Sequence, residues 1–135
     1  LGSNRMLWDI AYNRIKDVLF MSDNCIFCRI IRSEIPSALV YEDEHVYAFK
    51  DIHPAAPVHV LVVPKLHIDS LEGLDESNIG EVPYIHHAIQ KVAKVMGINE
   101  KGYRVIVNCG KEAGQTVFHL HYHVLGGMEM GEKII

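Results

Sequence analysis

Nowhere in this chain is there an apolar run long enough to cross a bilayer, which takes about 20 residues, so no membrane partner is expected. Cysteine is scarce: Cys25, Cys28 and Cys109 are the only three. That is too few for a disulfide framework and suits a reducing compartment. Positive charge is not in excess, with 13 Lys and Arg against 17 Asp and Glu and a net charge of −4. A nucleic-acid binder presents a basic surface, so nucleic acid is not expected as a partner either. The N-terminal stretch carries charges throughout, unlike a secretory leader, and Asp9 and Asp17 argue against a mitochondrial address. The expected location is the cytoplasm, with the nucleus as a second address.

What remains is an ordinary globular composition, 49% hydrophobic and 22% charged over 135 residues, enough for one domain with a real core. Its most informative stretch is Thr116-Val117-Phe118-His119-Leu120-His121-Tyr122-His123-Val124-Leu125-Gly126-Gly127. Strict alternation predicts a β-strand on which His119, His121 and His123 share one face, spaced by about 7 Å, while Leu120, Tyr122 and Val124 face a core. Histidine can attack, exchange protons or bind metal near neutrality. Upstream, the N–H groups of Gly114-Gln115-Thr116 and the Thr116 hydroxyl suit phosphate oxygens. The row alone leaves both catalysis and metal binding open.

The rest of the chain predicts an α+β fold. Leu7, Ile10, Ala11, Ile15, Val18 and Leu19 form an apolar stripe, predicting an N-terminal helix over residues 4–21; Ser22-Asp23-Asn24 end it and could cap the next helical run. The organisation is thus a helical extension over 1–24 and a domain over 25–135. Cys25 to Ile31 reads as a short helical run. Its Cys25-x-x-Cys28 is ambiguous between a metal site and a redox pair. Tetrahedral zinc needs two more ligands, for which His67 and His119 are the candidates. Strands are expected over 38–42 and 45–50, joined at Asp43-Glu44, with Val40, Val46, Ala48 and Phe49 inward. Asp51 reads on its own as a turn or cap residue. Val58 to Val63 is apolar apart from His59, so it is expected to be central and covered on both faces. A main helix is expected over 75–96, kinked or started late by Pro83 and ended by Gly97. Another strand is expected over 102–109.

These motifs, in this order, resemble the histidine-triad (HIT) superfamily, and most closely its Hint branch, the nucleoside phosphoramidase and AMP-lysine hydrolase group. The likeness runs from about Cys25 to Gly127. It takes in Ile26-Phe27-Cys28-Arg29-Ile30-Ile31, Ala48-Phe49-Lys50-Asp51-Ile52, Ala56-Pro57-Val58-His59, Val63-Pro64-Lys65-Leu66-His67-Ile68 and Tyr103-Arg104-Val105-Ile106-Val107-Asn108. The resemblance implies a HIT-like antiparallel sheet of about five strands, a main helix and shorter helices. It implies a homodimer built on the main helix and the strand after it, and a purine nucleotide such as AMP or an adenosine phosphoramidate as ligand.

The resemblance also implies residue roles. His121 would be the nucleophile in a nucleotidyl-histidine mechanism that needs no cofactor. His123, His59 and Thr116 would assist it, with Asn108, Gly114, Gln115, Thr116 and His123 around the phosphate. Asp51 would hold the ribose, and Ile26, Phe27, Ile30 and Ile52 the base. Structural zinc on Cys25, Cys28, His67 and His119 is implied as well. The tail from Met128 lacks the Trp-containing end of the nearest Hint proteins, and Thr116 stands where Ser is commoner. The alternatives are an Fhit-type dinucleoside polyphosphate hydrolase and a non-catalytic nucleotide-binding interaction protein.

Overall fold

The computed structural model describes residues 24–135. The helix expected over 4–21, and the extension over 1–24 apart from Asn24, lie outside the described residues. The framework is one five-stranded antiparallel sheet. Its strands are β1 (Leu39–Glu42), β2 (Val46–Lys50), β3 (Val58–Pro64), β4 (Tyr103–Ile106) and β5 (Tyr122–Gly126), in the spatial order β1-β2-β3-β5-β4. Helix α1 (Ile26–Ile31) precedes the sheet, and helix α2 (Val82–Val95) lies between β3 and β4. None of the described helices is long and apolar enough to cross a membrane.

Strand β3 is the centre, as its apolar composition predicts: from His59 to Pro64 every residue is buried. Alternation sends its side chains to two different cores. Val60 and Val62 join Val46, Ala48, Tyr122 and Val124 beneath Ile85, Ile89 and Val92 of α2. Leu61 and Val63 join Tyr47, Phe49, Phe27 and Ile30 on the α1 side. Of the residues expected to face inward together, Val46 and Ala48 therefore do so, while Phe49 belongs to the opposite core.

Helix α2 starts at Val82, with Pro83 in its first turn, rather than at Asp75. Proline has no N–H to give and its fixed φ suits a first turn. The segment before it is instead held by Asp75, whose carboxylate accepts from Ser77. At the other end Gly97 adopts φ 70° and Ile98 N–H donates back to the Ala93 carbonyl at 2.9 Å, a six-to-one closure that favours glycine. Ile98 then packs on Gly126, where an added Cβ would lie 2.8 Å from the Ile98 Cδ1 atom.

Strand β4 ends at Ile106, short of the expected Cys109, because its partner β5 begins only at Tyr122. Residues 117–119 bend instead of continuing the strand, and Leu120 N–H donates to the Ile68 carbonyl at 2.6 Å. Only His123 of the three histidines lies within a strand. Facing still alternates as expected, with Leu120, Tyr122 and Val124 in the core under α2.

Candidate active site

The bend before β5 divides the histidine row between two adjacent clusters. His119 turns into the first, beside the cysteines. Ser22 and Asp23 of the expected capping segment lie outside the described residues, and Cys25 caps α1, its Sγ accepting from Cys28 N–H at 3.4 Å. Around it the His119 Nδ1 atom lies 3.4 Å from the Cys25 Sγ, 3.5 Å from the Cys28 Sγ and 3.2 Å from the His67 Nδ1. The His67 Nδ1 is 3.4 Å from the Cys28 Sγ. A tetrahedral zinc with bonds of about 2.0–2.3 Å has ligands about 3.3–3.8 Å apart, so the spacing fits.

Protonation fits as well. The His119 Nε2–H donates to the Pro64 carbonyl at 2.7 Å and the His67 Nε2–H to the Asp69 carboxylate at 2.9 Å. Both Nδ1 lone pairs therefore point into the cluster, and two lone pairs at 3.2 Å repel unless a cation lies between them. Burial lowers the pKa of His119 to about 4, against the opposing pull of the Pro64 carbonyl. Its ring is therefore neutral, as a ligand must be. Asp69 and the Pro64 carbonyl are the outer partners that orient such ligands. His67-x-Asp69 is readable in the sequence; the carbonyl is not.

The second cluster holds His121, His123, His59 and Asp51. His121 donates from Nδ1 to the His119 carbonyl at 2.7 Å, which leaves the lone pair on Nε2. That nitrogen makes no hydrogen bond to the described residues. No side-chain nitrogen or oxygen among them is buried without a partner, so His121 Nε2 reaches solvent although the residue is only 8% exposed. The edge of the Phe27 ring, 5.1 Å away between centroids, supports the imidazole.

Beside it runs a chain with a definite direction. Ala55 N–H donates to His59 Nδ1 at 3.0 Å, so neutral His59 carries its proton on Nε2. That proton faces His123 Nδ1 at 2.9 Å, so His123 in turn keeps its own on Nε2. Asp51 Oδ2 stands 3.4 Å from His59 Nε2. Asp51, His59 and His123 are close enough together to hold a metal ion. The Ala55 N–H argues against it, because metal on Nε2 would require the proton on Nδ1. Burial lowers the pKa of His123, helped by the neighbouring His121 and His59 and opposed by Asp51. Ala55, a backbone donor, is a functional group the sequence could not reveal.

The remaining expected residues are placed less uniformly. Asp51 is the turn residue of the plain reading, its Oδ1 accepting from His53 N–H at 2.8 Å, while Oδ2 faces the histidines. Gly114 and Gln115 do not offer free N–H groups to a phosphate: they donate to the carbonyls of Lys111 and Gly110. The Gln115 side chain is spent within its loop on Gly110 and Val117 and across to the Asp69 carbonyl. Thr116 is exposed and stays outside these bonds, and Asn108 is half-buried. Of the apolar set, Phe27 and Ile30 are buried, whereas Ile26 is exposed and Ile52 is 85% exposed. An apolar slot would thus have two exposed walls over a packed floor.

The HIT domain family model matches residues 32–130. A purine nucleoside phosphoramidase from Escherichia coli is 40% identical over 114 residues, covering 84% of this chain and 96% of that protein. A 14 kDa zinc-binding protein from Zea mays is 48% identical over 108 residues, 78% of this chain and 83% of the relative. Among solved structures, a HIT family hydrolase from Clostridium thermocellum superposes with a TM-score of 0.83 at 60% identity, covering 84% of this chain and 99% of that one.

Proposed function

This chain belongs to the HIT family, and on that premise we propose that it is a purine nucleotide hydrolase that cleaves AMP-linked amides or anhydrides through a nucleotidyl-His121 intermediate. The observation that carries this reading is the His121 ring itself: Nδ1–H is fixed on a carbonyl and Nε2 is left open toward solvent. Such a ring is an oriented nucleophile without a separate base. In the first step Nε2 attacks the α-phosphorus and the bond to the leaving amine or phosphate breaks in line. The His123 Nε2–H, held there by His59 and Ala55, donates a hydrogen bond to the leaving atom and steadies the charge that builds on it, while solvent supplies the leaving group's proton. Water then breaks the phosphorus–nitrogen bond of the adduct, its oxygen staying on phosphorus and its proton passing to solvent.

The Thr116 hydroxyl and Asn108 would contact the phosphate oxygens, Asp51 Oδ2 the ribose, and Ile26 and Ile52 the base, over Phe27 and Ile30. Zinc, held by Cys25, Cys28, His67 and His119, would supply a structural cross-link, because four protein ligands fill a tetrahedral shell. A homodimer through α2 and β4 belongs to the same reading, supported by exposed Val95, Tyr103 and Val105.

The test is a kinetic panel of AMP-linked amides, esters and anhydrides. Adenosine phosphoramidates are expected to turn over fastest. Faster cleavage of dinucleoside polyphosphates would replace the reading with an Fhit-type hydrolase. Tight AMP binding without turnover on any substrate would replace it with an interaction protein.

A further inference from the structure

We propose that Asp51 is a positioning residue through which the ribose tightens the hydrogen bond between His59 and His123: once its carboxylate is occupied by the sugar hydroxyls, it yields the His59 N–H to His123. This deepens the reading above and takes from it the contact between Asp51 and the ribose.

The segment from Asp51 to His59 is closed by three hydrogen bonds. Asp51 N–H donates to the His59 carbonyl at 3.0 Å, Ala55 N–H to His59 Nδ1 at 3.0 Å, and His53 N–H to Asp51 Oδ1 at 2.8 Å. The His59 ring cannot turn away without giving up Ala55, and one carboxylate oxygen is already committed. The other, Oδ2, makes no hydrogen bond to the described residues. It stands 3.4 Å from His59 Nε2, whose single hydrogen faces His123 Nδ1 at 2.9 Å. One hydrogen therefore has two acceptors beside it. The imidazole nitrogen has the shorter distance, and the carboxylate has the charge that makes the stronger kind of hydrogen bond. The side chains of His59 and Asp51 are only 7% and 19% exposed, so water does little to damp the competition.

The sugar decides which acceptor prevails. Vicinal hydroxyls that donate to Oδ2 engage its lone pairs and disperse its charge, and its pull on the His59 hydrogen falls. That hydrogen then rests on His123 Nδ1 alone, which keeps the His123 proton on Nε2, facing the leaving atom. No covalent bond changes; one hydrogen bond is redistributed. The Asp51 charge is felt at His123 as well, where it opposes the lowering of the ring's pKa by burial. A nucleotide without these hydroxyls would leave the His59 hydrogen divided, so the site reads the sugar in the chemical step and not in binding alone.

The experiment compares an adenosine phosphoramidate with its 2′,3′-dideoxy counterpart on the native chain, Asp51→Asn and His59→Ala. On the native chain the dideoxy substrate is expected to lower kcat by about threefold to tenfold, besides raising KM. In Asp51→Asn, with Oδ1 kept on the His53 N–H, an NH2 group replaces Oδ2 and cannot accept the His59 hydrogen. The dideoxy kcat should then rise toward the native value on the ribose substrate. In His59→Ala the two substrates should differ in KM alone. A native difference confined to KM, or a dideoxy kcat that Asp51→Asn does not raise, overturns the proposal and leaves the hydrolase reading in place. A second measurement needs no variant and no turnover. In native protein labelled with 15N-histidine, saturating AMP should move the His59 Nε2–H proton resonance downfield, and 2′,3′-dideoxy-AMP should not. The same shift from both nucleotides, or none from AMP, overturns the proposal. A shift specific to AMP in a chain that hydrolyses no phosphoramidate leaves the coupling standing and removes the hydrolase reading instead.

Discussion

His121 donates from its Nδ1 atom to the carbonyl of His119, two residues earlier, at 2.7 Å. The shared geometry makes His119 at once a member of the cysteine cluster and the brace of the proposed nucleophile. Neither role needs the other's atoms, since one uses the ring and the other the backbone.

Replacing His121 by Ala should therefore remove turnover by at least about 10³-fold while AMP still binds. Rapid acid quenching of the native protein with substrate should trap a nucleotidyl adduct on His121, read by peptide mass. Turnover that survives the substitution, or an adduct on another residue, ends the covalent-histidine mechanism.

His59→Ala should act on the chemical step. It leaves His123 Nδ1 without the donor that now sits 2.9 Å away, so His123 no longer holds its proton reliably on Nε2. The expected loss is in kcat, on the order of tenfold to a hundredfold, with little change in KM. The loss should be smallest for substrates whose leaving group departs without a stabilising hydrogen bond. Steady-state kinetics on a good and a poor leaving group separates this from a general unfolding effect.

Gly126→Ala should destabilise the fold by about 1–3 kcal/mol. The new Cβ would meet Ile98 Cδ1 at 2.8 Å and Cγ2 at 3.1 Å. Since the obstruction is one side chain, Ile98→Val should give back part of the loss. Urea titrations of both single variants and the double variant would show a non-additive pair; simple additivity would place the strain elsewhere.

The fold should weaken on the acid side partly through His123. Its pKa in the fold lies below the ordinary histidine value of 6.5, so below that pH the unfolded chain binds protons that the folded chain refuses. Stability rises with pH wherever the unfolded state binds more protons. The contribution is therefore complete above about pH 6.5 and is lost as pH falls toward the lowered value. Thermal melts between about pH 7.5 and pH 5, a window that brackets the free-histidine pKa, are expected to show a falling Tm, with a shallower slope in His123→Asn. Equal slopes would exclude His123 as a source.

Legibility in the sequence follows the range of the interactions. The central strand β3 is legible because burial on both faces leaves no polar positions, and the stripe on α2 because its period is local. Pro83 marks two outcomes, and the one realised, a late start, is decided by the neighbouring Asp75 turn. A single strand carrying all three histidines is more than the structure forms. Alternation tells which way side chains face, but hydrogen bonding needs a neighbour, and here β5 gains one only from Tyr122. The cysteine and histidine quartet is placed by family likeness and by ligand counting. Its fine structure rests on a backbone carbonyl at Pro64 and on Asp69. The tautomer of His123 rests on Ala55, whose contribution is an N–H common to nearly every residue type and thus carries no sequence signal.

The two cores on opposite sides of β3 give this protein a division of labour. Val60, Val62 and Val124 belong to the core under α2, while their chain neighbours His59 and His123 join the cluster beside the proposed nucleophile and Leu61 joins the core with Phe27. Substitutions under α2 should therefore alter lifetime in the cell while specific activity per folded molecule stays constant. Durability and chemistry can then be retuned independently, residue by alternate residue, along the same strands.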